Sequence, residues 1–277
     1  MIDRAPLPAD SALIPDRNGA PLFETLTTEA NGPIGHLTLA RPEKLNPLST
    51  LALEEIALAA RYFDEETEAK VVIVSGAGRA FSAGADLSSF SSSEDRSTRE
   101  AAEIGRRMAD AVEGMMALSI AKIRGWCVGG GLVLAAACDL RLATPETRFS
   151  IPEVDLGIPL AWGGIPRLVR EIGPALTKEL VLTCRPFDSA EAKAAGFLNR
   201  IVDEHALDSE VDALAEELAQ KARHALFSTK RHVNAVTDQM VGTGRSWSDA
   251  DGLVTAFGDP ECAEARRDYL KRRSEGR

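Results

Sequence analysis

Ile120-Ala121-Lys122-Ile123-Arg124-Gly125-Trp126-Cys127-Val128-Gly129-Gly130-Gly131-Leu132-Val133-Leu134-Ala135-Ala136-Ala137-Cys138-Asp139-Leu140-Arg141-Leu142-Ala143 is the stretch on which the fold turns. Ile120 to Arg124 reads as a strand, Gly131 to Cys138 as a helix of small residues, and Leu140 to Ala143 as another strand. Strand, glycine turn, helix and strand in succession is the unit of α/β layering. The glycines lead straight into the helix, so the Gly130 N–H would be an unpaired donor at a helix start, where the dipole adds positive potential. Without side chains, this turn also lets a ligand come close to the backbone.

The same alternation extends outward. Ile34 to Leu39 alternates polar and apolar residues and stops at Arg41-Pro42, as a strand closed by a turn. Ser49 is placed to cap a helix whose Leu51, Ala52, Ile56, Ala59, Ala60 and Phe63 recur at helical spacing. Val71 to Val74 is a β-branched run expected of a strand buried on both faces. Glu100 to Leu118 reads as helix, and the serine-rich, charged stretch Ser88 to Arg99 as a mobile loop. From His205 onward the chain is rich in Ala, Leu, Glu, Lys and Arg with no strand signal. The expected organisation is a loose extension over 1–20, a core domain over 21–204 and a helical region over 205–277.

Composition narrows the function. A chain of 277 residues, 44% of them hydrophobic, is long enough to bury a substantial core. A net charge of -10 argues against nucleic acid as a partner, because a general binder needs a basic surface to displace counterions. A local basic pocket for a small phosphorylated cofactor stays compatible with it. No apolar run reaches the roughly 20 residues of a membrane helix and no basic-then-apolar leader opens the chain, so a cytoplasmic protein without a membrane partner is expected. Cys127, Cys138, Cys184 and Cys262 form no CxxC pair, and His36, His205, His224 and His232 share no ligand spacing, so neither a disulfide framework nor a metal site is expected.

Two further segments carry chemistry, Ala80-Phe81-Ser82-Ala83-Gly84-Ala85-Asp86-Leu87 and Pro152-Glu153-Val154-Asp155-Leu156-Gly157. The first, like Gly125 to Gly131, puts small residues just after a strand, where amides are exposed. Two such amides aimed at one oxygen make an oxyanion hole, in which each donor is worth roughly 3 to 4 kcal/mol. No Gly-Lys-Ser/Thr follows either glycine cluster and neither fits GxGxxG, so a nucleotide loop is excluded.

Taken in order, RPEKLNPL, AFSAGADL, GGGLVLAAACDLRLA, FSIPEVDLGI and GGIPRL resemble the crotonase, or enoyl-CoA hydratase/isomerase, superfamily, from about His36 to Val202 with a weaker C-terminal match. The resemblance implies a spiral of ββα turns with C-terminal helices, assembled as a homotrimer or homohexamer. It implies an acyl-CoA substrate, with coenzyme A as part of the thioester and no separate cofactor. It implies further that the Ala85 and Gly130 amides form the oxyanion hole, that Glu153 moves protons, and that Ala83 and its neighbours line the adenine pocket. Asp86, Leu87, Gly129 and Trp162 complete the expected substrate-binding set.

Two departures bear on the reaction. Hydratases of the superfamily carry a glutamate two residues beyond the glycine triplet, where this chain has Val133, and a second in the Pro-Glu segment, here Glu153. Valine neither activates nor positions water, so an isomerase that shuttles one proton with one carboxylate is favoured over a hydratase. The P-G-x-G-G turn of the family reads Pro159-Leu160-Ala161-Trp162-Gly163-Gly164, with two bulky side chains. An acyl-CoA decarboxylase or other lyase, and a non-catalytic acyl-CoA binder, remain as alternatives.

Plainer readings stand beside these. Glu153 after a proline is also what a solvated loop carboxylate looks like. Asp86 and Asp139 lie beside turns and suit caps or salt-bridge partners. Asp155 would share a side with Glu153 in an extended segment. Lys230 and Arg231 suit either coenzyme A phosphates or a solvated helix face.

Overall fold

The computed structural model describes residues 21–86, 98–246 and 248–275. It begins with β1 (Leu26–Asn31), β2 (Ile34–Leu39) and α1 (Thr50–Glu65). A first turn follows as β3 (Val71–Gly76), β4 (Ala80–Ser82) and α2 (Thr98–Glu113). A second runs through β5 (Leu118–Ile123), β6 (Trp126–Val128) and α3 (Gly130–Ala137). The third is β7 (Leu140–Ala143), β8 (Arg148–Ser150) and α4 (Gly164–Thr183). Then come β9 (Phe187–Asp188), α5 (Ser189–Ala194), β10 (Arg200–Ile201), α6 (Leu207–Ala219), α7 (Arg223–Val241), α8 (Asp249–Gly258) and α9 (Pro260–Glu275).

In each turn the first strand joins a six-stranded sheet ordered β1-β2-β3-β5-β7-β10, and the second joins a four-stranded sheet ordered β4-β6-β8-β9. The pairs β1-β2 and β8-β9 are antiparallel and the others parallel, so the chain winds as a spiral of ββα turns. β3 is buried on both faces for the reason its composition gives. Val72 and Val74 face the main core, while Val71 and Ile73 pack with Ile120, Leu142 and the α6 residues Leu207, Val211 and Ala215. The helical C-terminal region thus covers the back of the large sheet. α3 is apolar all round and wholly buried, the state such a helix requires. Among the described residues no helix is long and apolar enough to cross a membrane.

Local signals act where the sequence puts them. Ser49 Oγ accepts the Ala52 N–H at 3.2 Å and caps α1. α2 stops at Glu113, short of the expected Leu118, because the Met116 N–H is taken by the Asp64 carboxylate at 2.8 Å and the chain turns into β5. Ser88 to Ser97 lie outside the described residues, and Thr98 and Arg99 already belong to α2. The first twenty residues also lie outside them.

Lys230 is neither solvated nor free for a phosphate. It is buried on α7, and its Nζ donates to the Ala117 carbonyl at 2.9 Å and to Asp139 Oδ2 at 2.7 Å. Asp139 also accepts from the Ser119 N–H and hydroxyl, as a salt-bridge partner at a turn should. Removing the buried lysine leaves the half-buried Asp139 charge without its cation. Lys230→Ala is expected to lower the unfolding free energy by about 3 kcal/mol in urea titration.

Candidate active site

Three of the sequence segments meet at the carboxyl ends of neighbouring parallel strands. β4 pairs with β6 and β6 with β8, so the chain leaving Ser82, Val128 and Ser150 emerges on one edge of the small sheet. That is the edge where open α/β sheets bind ligands. The RPEKLNPL segment is fastened to it. Asn46, buried, accepts the Arg41 N–H at 3.0 Å and donates to the Ala77 and Ala80 carbonyls, each at 2.9 Å. Leu48 bridges Ala85, taking its N–H to the Gly84 carbonyl at 2.8 Å and accepting from the Asp86 N–H at 3.0 Å.

This pairing leaves the Ala85 N–H without an acceptor among the described residues, as the helix start leaves the Gly130 N–H. The two peptides are neighbours. Gly84, at φ +90°, backs onto the α3 turn so closely that a β-carbon there would stand 2.8 Å from the Val128 carbonyl and 3.7 Å from the Gly130 nitrogen. Gly129, at φ +49°, is pressed in its turn by Glu153, whose Cδ would lie 3.2 Å from a β-carbon at that position.

Glu153 is therefore not a solvated loop carboxylate. It is buried, and its Oε2 has no hydrogen-bond partner among the described residues. Burial pushes its carboxyl up from 4.5 to about 7, against the opposing pull of a backbone hydrogen bond. Asp155 does not share its side. The segment is a turn rather than an extended strand, closed by Ile158 N–H to the Glu153 carbonyl at 3.0 Å, and Asp155 is exposed.

Val133 is buried one helical turn beyond Gly130, with its Cγ2 close against Gly164 and Leu160 beside it. Trp162 is buried with its indole against Gly130 of α3 and Gly105 of α2, where no β-carbon would fit. Ala83 and Asp86 are half-buried, and Leu87 lies outside the described residues. Two residues that hold the Trp162 turn were not singled out from the sequence. Arg167 Nη1 donates to the carbonyls of Trp162 and Gly163, each at 3.2 Å, and Asp249 of α8 accepts the Gly163 N–H at 2.8 Å. Arg167 stands in the GGIPRL segment; Asp249, 86 residues from its partner, has no local signal at all.

The chain matches the enoyl-CoA hydratase/isomerase family over residues 29–275 and belongs to it. It is thus an enzyme of the crotonase superfamily that acts on acyl-CoA, with an α/β fold of two mixed sheets and C-terminal helices. It is 30% identical over 254 residues to the "Probable enoyl-CoA hydratase echA8" of Mycobacterium tuberculosis, covering 91% of this chain and 97% of that one. The peroxisomal Delta(3,5)-Delta(2,4)-dienoyl-CoA isomerase of Arabidopsis thaliana is 34% identical over 221 residues, 75% of this chain and 80% of its own. The crystal structure of an enoyl-CoA hydratase from Mycobacterium avium subsp. paratuberculosis superposes with a TM-score of 0.80 at 26% identity, covering 90% of this chain and 99% of that one.

A carboxyl whose folded pKa exceeds its ordinary value keeps its proton better in the fold, so its contribution to stability is full below about 4.5 and is lost as pH rises through about 7. The displacement corresponds to a loss on the order of 3 kcal/mol. Relative to wild type, Glu153→Gln should therefore gain stability by up to that amount between pH 4.5 and 8, measured by urea titration at each pH.

Proposed function

We propose that this enzyme isomerises a 3-enoyl-CoA to the conjugated 2-enoyl-CoA, with Glu153 as base and then acid. The observation that carries the reading is the buried Glu153 carboxyl pressed against Gly129, next to amides at Gly130 and Ala85 that have no acceptor among the described residues, with Val133 where a second carboxylate would be needed. The thioester oxygen accepts hydrogen bonds from the Ala85 and Gly130 N–H groups. Glu153 takes a proton from C2, the electron pair spreads through the carbonyl as a dienolate, and the same carboxyl returns the proton at C4. The double bond moves from C3–C4 to C2–C3, and nothing else enters or leaves.

A carboxyl near pKa 7 suits a group that must take and return a proton at neutral pH. Hydration would ask Val133 to activate or hold water, which a buried isopropyl group packed against Gly164 cannot do. The likeness to a relative named as a dienoyl-CoA isomerase supports proton-shuttle chemistry on this scaffold. Ala83, Asp86, Leu87, Gly129 and Trp162 complete the substrate-binding set, with Ala83 toward the adenine.

Turnover of 3-enoyl-CoA, followed by the absorbance of the conjugated product, tests the assignment. Glu153→Gln is expected to lower kcat by at least about 10²-fold while calorimetric affinity for an acyl-CoA stays within about threefold. Retention of more than about a tenth of the turnover would overturn it. The wild-type kcat/KM should rise with pH through about 7, because the free enzyme must present Glu153 ionised.

The same reading includes assembly as a trimer or hexamer. Val233, Val236 and Met240 of α7 are exposed apolar side chains that a second copy would cover. Light scattering at micromolar concentration is expected to give three or six times the chain mass of 29.7 kDa.

A further inference from the structure

We propose that the Trp162 indole is the end wall of the acyl pocket and restricts the enzyme to short acyl groups, of about four to six carbons. The inference rests on the reading above, in which the Gly130 N–H binds the thioester oxygen, and it adds the substrate's length.

The ring lies directly against the glycine that would hold the carbonyl. A β-carbon on Gly130 would stand 2.9 Å from the indole Cη2, so the ring is in van der Waals contact with the backbone there. Its other side is closed by Gly105 of α2, which has no side chain because the indole occupies that space. Trp162 is only 6% exposed, so the volume beside Gly130 is filled and not open. Leu160, 5% exposed, and Val133, 1% exposed, continue the wall toward α4. An acyl chain that passes Glu153 on the Gly129 side must therefore end against apolar side chains on the Gly130 side.

The wall is held in place. Trp162 has φ +59°, a left-handed conformation that costs a residue with a side chain about 1–2 kcal/mol. Such a conformation persists when its surroundings over-determine it. Here Arg167 pins the Trp162 carbonyl, Asp249 pins the next N–H, and Arg167 is itself tied to Asp110 at 2.9 Å and Glu113 at 2.6 Å. These bonds fix the backbone from which the ring projects, and close packing against Gly105 and Gly130 leaves the ring no room to turn.

The test compares the wild type with Trp162→Gly and Trp162→Phe. Glycine accepts the left-handed backbone and removes the ring; phenylalanine keeps a smaller one. Dissociation constants for butyryl-, octanoyl- and decanoyl-CoA are measured by calorimetry, with circular dichroism melting to confirm folding. These saturated thioesters do not react, so the result is independent of whether Glu153 is the base. The wild type should bind decanoyl-CoA no tighter than butyryl-CoA. Trp162→Gly should prefer decanoyl-CoA by at least about tenfold, since each newly buried methylene is worth roughly fourfold, and Trp162→Phe should fall between. A wild type that already prefers decanoyl-CoA tenfold, or folded variants whose preference is unchanged, would overturn the proposal. Should Trp162→Gly not fold, the same ratio in Trp162→Phe and in the wild type decides.

Discussion

The start of α3 is the point on which the rest of this molecule depends, because side chains from two different segments press on its backbone. Glu153 takes the space beside Gly129 and Trp162 the space beside Gly130. A helix can begin there only with residues that have no β-carbon, and the same lack of side chains leaves an amide open. The small sheet exists to bring these pieces together. Its strands β4, β6 and β8 contribute three residues each, too few to stand alone, and they are carried by the long strands of the large sheet that precede them in each turn.

Burial then sets the chemistry. Glu153 loses hydration without gaining a cation among the described residues, so its carboxyl is poised near neutrality, while Val133 and Leu160 pack against Gly164 at the start of α4. The charged groups nearby are spent elsewhere: Arg167 and Arg170 share Glu113, with Asp110 alongside, in a network that braces α2 against α4. The structural ion pairs thereby leave the Glu153 carboxyl outside their network.

Much of this was legible in the sequence, and the limits are physical. β2, α1, β3 and β7 follow from alternation, capping and β-branched runs, because each is long enough or pure enough to show its period. β4, β6 and β8 show none at three residues, so the second sheet is invisible to periodicity and enters only through the family resemblance. Glu153, Gly130 and Ala85 could be singled out because they stand in local motifs. Lys230 was misread, since a lysine in a polar helix gives no local sign of a half-buried aspartate 91 residues away. The grip of Asp249 on the Trp162 turn is hidden for the same reason, and so is the pairing of the indole with Gly105.

The left-handed backbone at Trp162 has an evolutionary consequence. At most positions, losing a buried tryptophan to glycine would trade packing for extra chain freedom, a double penalty. Here the replacement relieves the unfavourable φ of +59°, so part of the lost packing is offset. The tryptophan codon lies one base from a glycine codon. A lineage carrying this scaffold can therefore widen its substrate range by a single point mutation at a position where the backbone already suits the newcomer.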